Sequence, residues 1–110
     1  MAGVGVDPEL FSAEVTQGDG EVVVAVRGEI DIATAPVLWE TLADVLPDTT
    51  RLVVDLSETE FIDSTGLGVL VRALKRLRHH GGDLVLRSPR RNARKVLSVT
   101  CLDRVITIEE

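Results

Sequence analysis

Hydrophobic and polar positions along the chain change their period several times, and each change marks an element boundary. Leu10 to Gln17 scatters β-forming residues between polar ones, and Gly18-Asp19-Gly20 follows as a turn, so the segment predicts the first arm of a hairpin. The second arm, Glu21 to Gly28, is a nearly continuous β-branched run, the pattern of a strand buried on both faces of a sheet. Gly28-Glu29-Ile30-Asp31-Ile32-Ala33 then alternates polar and apolar residues and leads into a helix, with Thr34 as N-cap and Pro36 in the first turn. That helix is expected from Ala35 to about Leu46. It carries Ala35, Leu38, Leu42, Val45 and Leu46 on one stripe, has Trp39 at the border, and is closed by Pro47-Asp48.

Arg51 to Leu56 reads as a third strand, and the polar stretch Ser57 to Glu60 as a loop carrying it to Phe61-Ile62-Asp63-Ser64-Thr65-Gly66. A long helix begins there, with Leu67, Leu70, Val71, Leu74 and Leu77 on one face and Gly81-Gly82 at its end. Its last turns are basic, which suits the negative end of the helix dipole. Asp83 to Arg87 is a fourth strand. Ser88-Pro89 reads as N-cap and first-turn proline of a third helix bearing Ala93, Val96 and Leu97, and Val105 to Ile108 as a short last strand. Strands alternating with helices after an opening hairpin predict an α/β fold: one domain over residues 1–110, a mixed four- to five-stranded sheet with helices packed on it. Only residues 1–9 and Glu109-Glu110 are expected to fray.

Composition narrows the chemistry. The 110 residues are 45% hydrophobic and 27% charged, ordinary for a folded domain. The single Cys101 forms no internal disulfide, and one Cys with two adjacent His has no zinc spacing, so neither a disulfide scaffold nor a metal is expected. The N-terminus lacks the features of a signal peptide, and the apolar run Val22 to Val26 is too short to span a bilayer, which points to the cytoplasm. Residues 1–63 hold 14 acids and 2 bases, whereas residues 64–110 hold 4 acids and 10 bases. The basic half raises nucleic acid as a partner. Against it stand 3% aromatics, no Tyr to stack on bases, and a net charge of −6.

Asp63-Ser64-Thr65-Gly66-Leu67-Gly68 is the least ordinary segment. It lies where a strand turns into a helix, and a helix N-terminus offers unpaired N–H groups and partial positive charge. Gly66 and Gly68 each cost about 1 kcal/mol relative to Ala inside a helix, a penalty that close approach of another surface explains. The bland alternative makes Ser64 a simple N-cap and the glycines a means of packing against the sheet. Enzyme readings fail on spacing: there is no third glycine of a dinucleotide fingerprint and no Gly-Lys-Ser/Thr of a phosphate loop. A nucleophile elbow needs glycine where Ile62 stands, and His79 and His80 lie about four turns from Ser64.

At these residues the chain resembles the STAS family of bacterial anti-sigma factor antagonists. The likeness rests on Gly28-Glu29-Ile30-Asp31, Val53-Val54-Asp55-Leu56, Phe61-Ile62-Asp63-Ser64-Thr65-Gly66-Leu67-Gly68, Gly81-Gly82 before a strand, and Ser88-Pro89 before the last helix. The resemblance implies a small non-enzymatic domain without cofactor. Such a domain binds an anti-sigma factor serine/threonine kinase, is phosphorylated on the serine after the Asp, here Ser64, and is restored by a PP2C-type phosphatase. The partner surface is expected to comprise Asp31, Asp63, Ser64, Thr65, Gly66, Leu67 and Gly68. Asp31 and Asp63, if adjacent at the sheet edge, would repel a phosphoserine; otherwise Asp63 complements the helix dipole and Asp31 supports a turn. The alternative function is a constitutive STAS scaffold or ligand-sensing module in which Ser64 serves only as a cap. His79 and His80 are expected at an exposed helix end, Trp39 in partial packing, and Cys101 buried. Arg90-Arg91-Asn92-Ala93-Arg94-Lys95 is expected as a solvated helix face, or as a surface for an acidic partner.

Overall fold

The computed structural model describes residue 7 and residues 9–110, so most of the expected N-terminal tail lies outside the described residues. Strands β1 (Phe11–Gly18) and β2 (Glu21–Ile30) form the expected antiparallel hairpin. Helix α1 (Ala35–Val45), with a 3₁₀ turn at Leu46–Asp48, leads to β3 (Arg51–Ile62). Helix α2 (Ser64–His79) leads to β4 (Asp83–Arg87), and α3 (Arg91–Val99), with a second 3₁₀ turn at Leu102–Arg104, to β5 (Thr107–Glu109). The sheet order is β1-β2-β3-β4-β5, parallel from β2 onward. Each crossover joins immediate neighbours and always steps the same way, so right-handed connections place all three helices on one face.

That topology corrects the reading of β2. Its run of valines is buried only at alternate positions: Val22, Val24, Val26 and Ile30 face the helices, while Ala25, Arg27 and Glu29 are exposed. They join Leu38 and Leu42 of α1, Leu70, Ala73 and Leu77 of α2, and Ala93 and Leu97 of α3 in one core. Ala73 takes a core place that the sequence pattern gave to the half-buried Val71. Burying these apolar side chains, each Val, Leu or Ile contributing roughly 1.5–3 kcal/mol, is what holds the helices on the sheet.

The helix-free face has its own small centre. Val53 and Val85 are register partners there, 0% and 2% exposed, yet they stand outside the main core. Four charges close over them. Arg51 pairs with Glu21 at 3.0 Å and with Glu109 at 3.4 Å; Arg87 pairs with Glu21 at 3.4 Å and with Glu109. In the register, the line from Glu21 on β2 to Arg87 on β4 crosses Val53, and the line from Arg51 on β3 to Glu109 on β5 crosses Val85. Apolar stems of the arginines cover the valines while their guanidinium heads stay paired. Glu109 is thus held in β5 rather than frayed.

Several boundaries also differ from expectation. Ser57 to Glu60 is not a loop: β3 continues through it beside Arg27–Ile30, with two register shifts that each add one residue to β3. Thr59 makes this possible by donating its buried hydroxyl to the Val26 carbonyl at 2.8 Å. Ser88-Pro89 does not cap α3, which starts at Arg91; Ser88 adopts a left-handed φ of 52° and its N–H donates to the Glu109 carbonyl, prolonging the β4–β5 ladder. Cys101 is exposed, not buried, because a left-handed φ of 62° turns the chain out between α3 and the second 3₁₀ turn.

Candidate functional site at the end of β3

Ile30 and Ile62 are the last register partners of β2 and β3, so Asp31 and Asp63 leave the sheet side by side, about 5 Å apart as neighbouring strands are. The Asp63 N–H donates to the Ile30 carbonyl at 3.1 Å and locks the two strand ends together. Asp63 has extended backbone, and its Oδ1 accepts the N–H groups of Thr65 at 2.9 Å and Gly66 at 3.1 Å. The N-cap of α2 is therefore Asp63 and not Ser64. Ser64 is the first residue inside the helix, exposed, and no hydrogen bond engages its hydroxyl among the described residues.

Asp31 does fill the turn role. Its Oδ1 accepts from the N–H of Ala33 at 2.9 Å and of Thr34 at 3.1 Å. The Thr34 hydroxyl makes no cap to α1; it accepts from the Asp31 N–H at 2.9 Å and donates to the Glu29 carbonyl at 2.8 Å. Around the pair the surface is acidic with isolated apolar side chains. A groove of about 350 Å³ runs between Asp7, Leu10, Glu29, Asp31 and Glu60. Ile32, between the lining residues Asp31 and Ala33 in sequence, is 77% exposed, and Phe61, next to Glu60, is 40% exposed.

Residues 13–108 match the family described as Mlab, STAS domain. The chain belongs to the STAS domain family. It is 33% identical over 98 residues to an anti-sigma-B factor antagonist of Bacillus subtilis, covering 89% of this chain and 90% of that protein. It is 36% identical over 101 residues to an anti-sigma-B factor antagonist of Listeria monocytogenes, covering 90% and 89%. The crystal structure of an anti-sigma factor antagonist from Mycobacterium paratuberculosis superposes with a TM-score of 0.84 at 33% identity, over 94% of this chain and 88% of that one.

Within this STAS domain the expected partner residues divide. Asp31 and Asp63 stand partly exposed at the carboxyl ends of β2 and β3, and Ser64, Thr65 and Gly68 are exposed in the first turns of α2. Gly66 and Leu67 are not: Leu67 is 5% exposed, and a Cβ on Gly66 would lie 2.5 Å from Ile30 Cγ2 and 2.8 Å from Ile62 Cγ1. Their place in a contact surface is thereby corrected to seating α2 on the two strands. Gly68 differs, because a Cβ there meets nothing within 4 Å. Asn92 was not legible as part of the site: its Oδ1 accepts the Ile62 N–H at 3.0 Å, so α3 braces β3 just before the Asp-Ser step. Ile32 was also missed, since alternation alone assigns such a residue to the interior.

Trp39 and the helix end match their expected settings. Arg72 of α2 stacks 3.9 Å from the centre of the half-buried Trp39 ring, and Arg76 lies 5.2 Å from it. His79 and His80 are exposed at the end of α2. Among the described residues, no helix is long and apolar enough to cross a membrane, and no group of three or more His, Cys, Asp or Glu is arranged for a metal ion.

Proposed function

We propose that this STAS domain is a cytoplasmic anti-sigma factor antagonist whose unmodified form binds an anti-sigma factor serine/threonine kinase and thereby frees a sigma factor. Phosphorylation of Ser64 by that kinase ends the complex, and a PP2C-type phosphatase restores it. The protein is then a substrate and binding module, without catalysis of its own. The observation that carries the reading is the exposed Ser64 hydroxyl at the first position of α2, without a hydrogen bond among the described residues, with the capping duty already held by Asp63. A serine that served only as a cap would be tied to the helix backbone, which is what the scaffold alternative requires.

The energetics favour a switch of binding over a switch of folding. A phosphate adds about −1.5 to −2 charges at a helix N-terminus, where the dipole contributes roughly 0.3 to 1 kcal/mol in its favour. Against a docked partner the same charge stands beside Asp31 and Asp63, and misplaced like charge costs several kcal/mol. A loss of about 3 to 4 kcal/mol amounts to a few-hundredfold weaker binding. Incubation with the cognate kinase and ATP should add one phosphate to the wild type, read by intact mass, and none to Ser64→Ala. Equal phosphate on both proteins defeats the assignment. Titration of Ser64→Asp into the kinase should show the weakened affinity, and wild-type affinity there defeats the charge mechanism.

A further inference from the structure

The exposed face of α3 carries Arg91, Arg94 and Lys95 at helical spacing, and Val99, one turn beyond Lys95, is 75% exposed on the same stripe. Arg94 is tied to Glu110 and to the Pro89 carbonyl. The side chains of Arg90, Arg91 and Lys95 are exposed and have no hydrogen bond or ion pair among the described residues. The acidic groove beside Asp31 supplies the complement. Asp7, Glu29, Asp31 and Glu60 line it without a cationic partner among the described residues, and Leu10 and Ile32 are 73% and 77% exposed beside it.

We propose that the α3 face is a docking surface for a second copy of this chain. The cations of one copy meet the carboxylates of the groove of the next, and Val99 packs against its Leu10 or Ile32. The two surfaces are different parts of the molecule, so the contact is heterologous and adds copies head to tail until a ring closes. Sequence segregation of charge, 14 acids and 2 bases before residue 64 and the reverse bias after it, makes a copy complementary to itself. A nucleic acid fits the same cations less well, because the remaining surface is acidic and no Tyr is present for stacking. The patch is small and its charges are solvated, so the association is weak and salt-sensitive. The inference holds whether or not Ser64 is phosphorylated.

Sedimentation velocity over a concentration series tests it at about 0.1 M and about 1 M salt, where the screening length falls from about 10 to 3 Å. The wild type should show a rising weight-average sedimentation coefficient at the lower salt and monomer at the higher. Arg91→Glu with Lys95→Glu should abolish the rise, as should Glu29→Lys with Glu60→Lys, each protein being checked for an unchanged circular dichroism spectrum. Mixing the two double variants, whose charges are exchanged, should restore association. A wild type that stays monomeric overturns the proposal, as does association that survives either double variant or 1 M salt, or a mixture that fails to associate. A monomeric wild type whose α3 variant loses affinity for the anti-sigma factor kinase would give the face to that partner and equally overturn it.

Discussion

Gly66 and Gly68 stand two residues apart in one helix and obey different physics. A methyl on Gly66 would run into the side chains of Ile30 and Ile62, both fully enclosed, so there is no room to yield. Gly66→Ala is therefore expected to destabilise the fold by about 1–3 kcal/mol, the usual cost of overpacking, in urea unfolding. Gly68 faces open space, so Gly68→Ala should gain up to about 1 kcal/mol of helix propensity in the same measurement. If a partner lies against that bare backbone, the stabilised variant will bind the anti-sigma factor more weakly, which separates binding from folding in one substitution. The neighbouring polar pair divides likewise. Asp63→Ala removes the acceptor of two helix N–H groups and should cost about 1 kcal/mol, whereas Ser64→Ala should stay within about 0.5 kcal/mol of wild type. A large stability loss on Ser64→Ala would mean that the serine has a structural duty after all.

β3 is the element on which the site depends, and it owes its length to contacts far away in sequence. Its polar second half looks like a loop because Ser57, Glu58 and Glu60 point to solvent, yet β2 supplies a ladder partner and Thr59 anchors it from inside. No local pattern carries that information: the register shifts that absorb two extra residues arise only when the strands meet. The start of α3 was misplaced for the same kind of reason. Ser88-Pro89 has good cap chemistry, but the Ser88 N–H is claimed by β5, a strand about twenty residues later. By contrast the hairpin, α1, α2 and β4 were legible, because glycine turns, a Pro-led first turn and an unbroken leucine stripe are local signals. The Asp63-Ser64 step was legible as a helix start, though not which of the two caps it. The brace from Asn92 was not legible at all. Asn92→Ala leaves the Ile62 N–H without its acceptor and should cost about 1–3 kcal/mol. Hydrogen exchange locates the effect: the Ile62 amide should exchange faster in the variant while amides of β1 keep their relative order.

At the scale of the molecule, one face of the sheet is roofed by helices and the other by four charges, and the second roof responds to pH. Glu21 is held below the ordinary carboxylate range, first by the hydrogen bond from Arg51, against an opposing contribution from burial, and then by Arg87. A carboxyl whose folded value lies below its unfolded one favours the fold above the unfolded value of about 4.3, and that contribution disappears as pH falls through the folded value. Wild type should therefore lose stability on acidification faster than Glu21→Gln, whose neutral amide binds no proton in this range. Comparison of the two proteins removes the titrations they share, so the difference between their melting temperatures isolates the contribution of Glu21. That difference should be largest near neutrality and shrink below about pH 4.3. A difference near zero at every pH would show that Glu21 acts through its apolar stem, which Gln keeps, and not by its charge. In that case Glu21→Leu, which covers the valine without an ion pair, should be at least as stable as wild type at every pH.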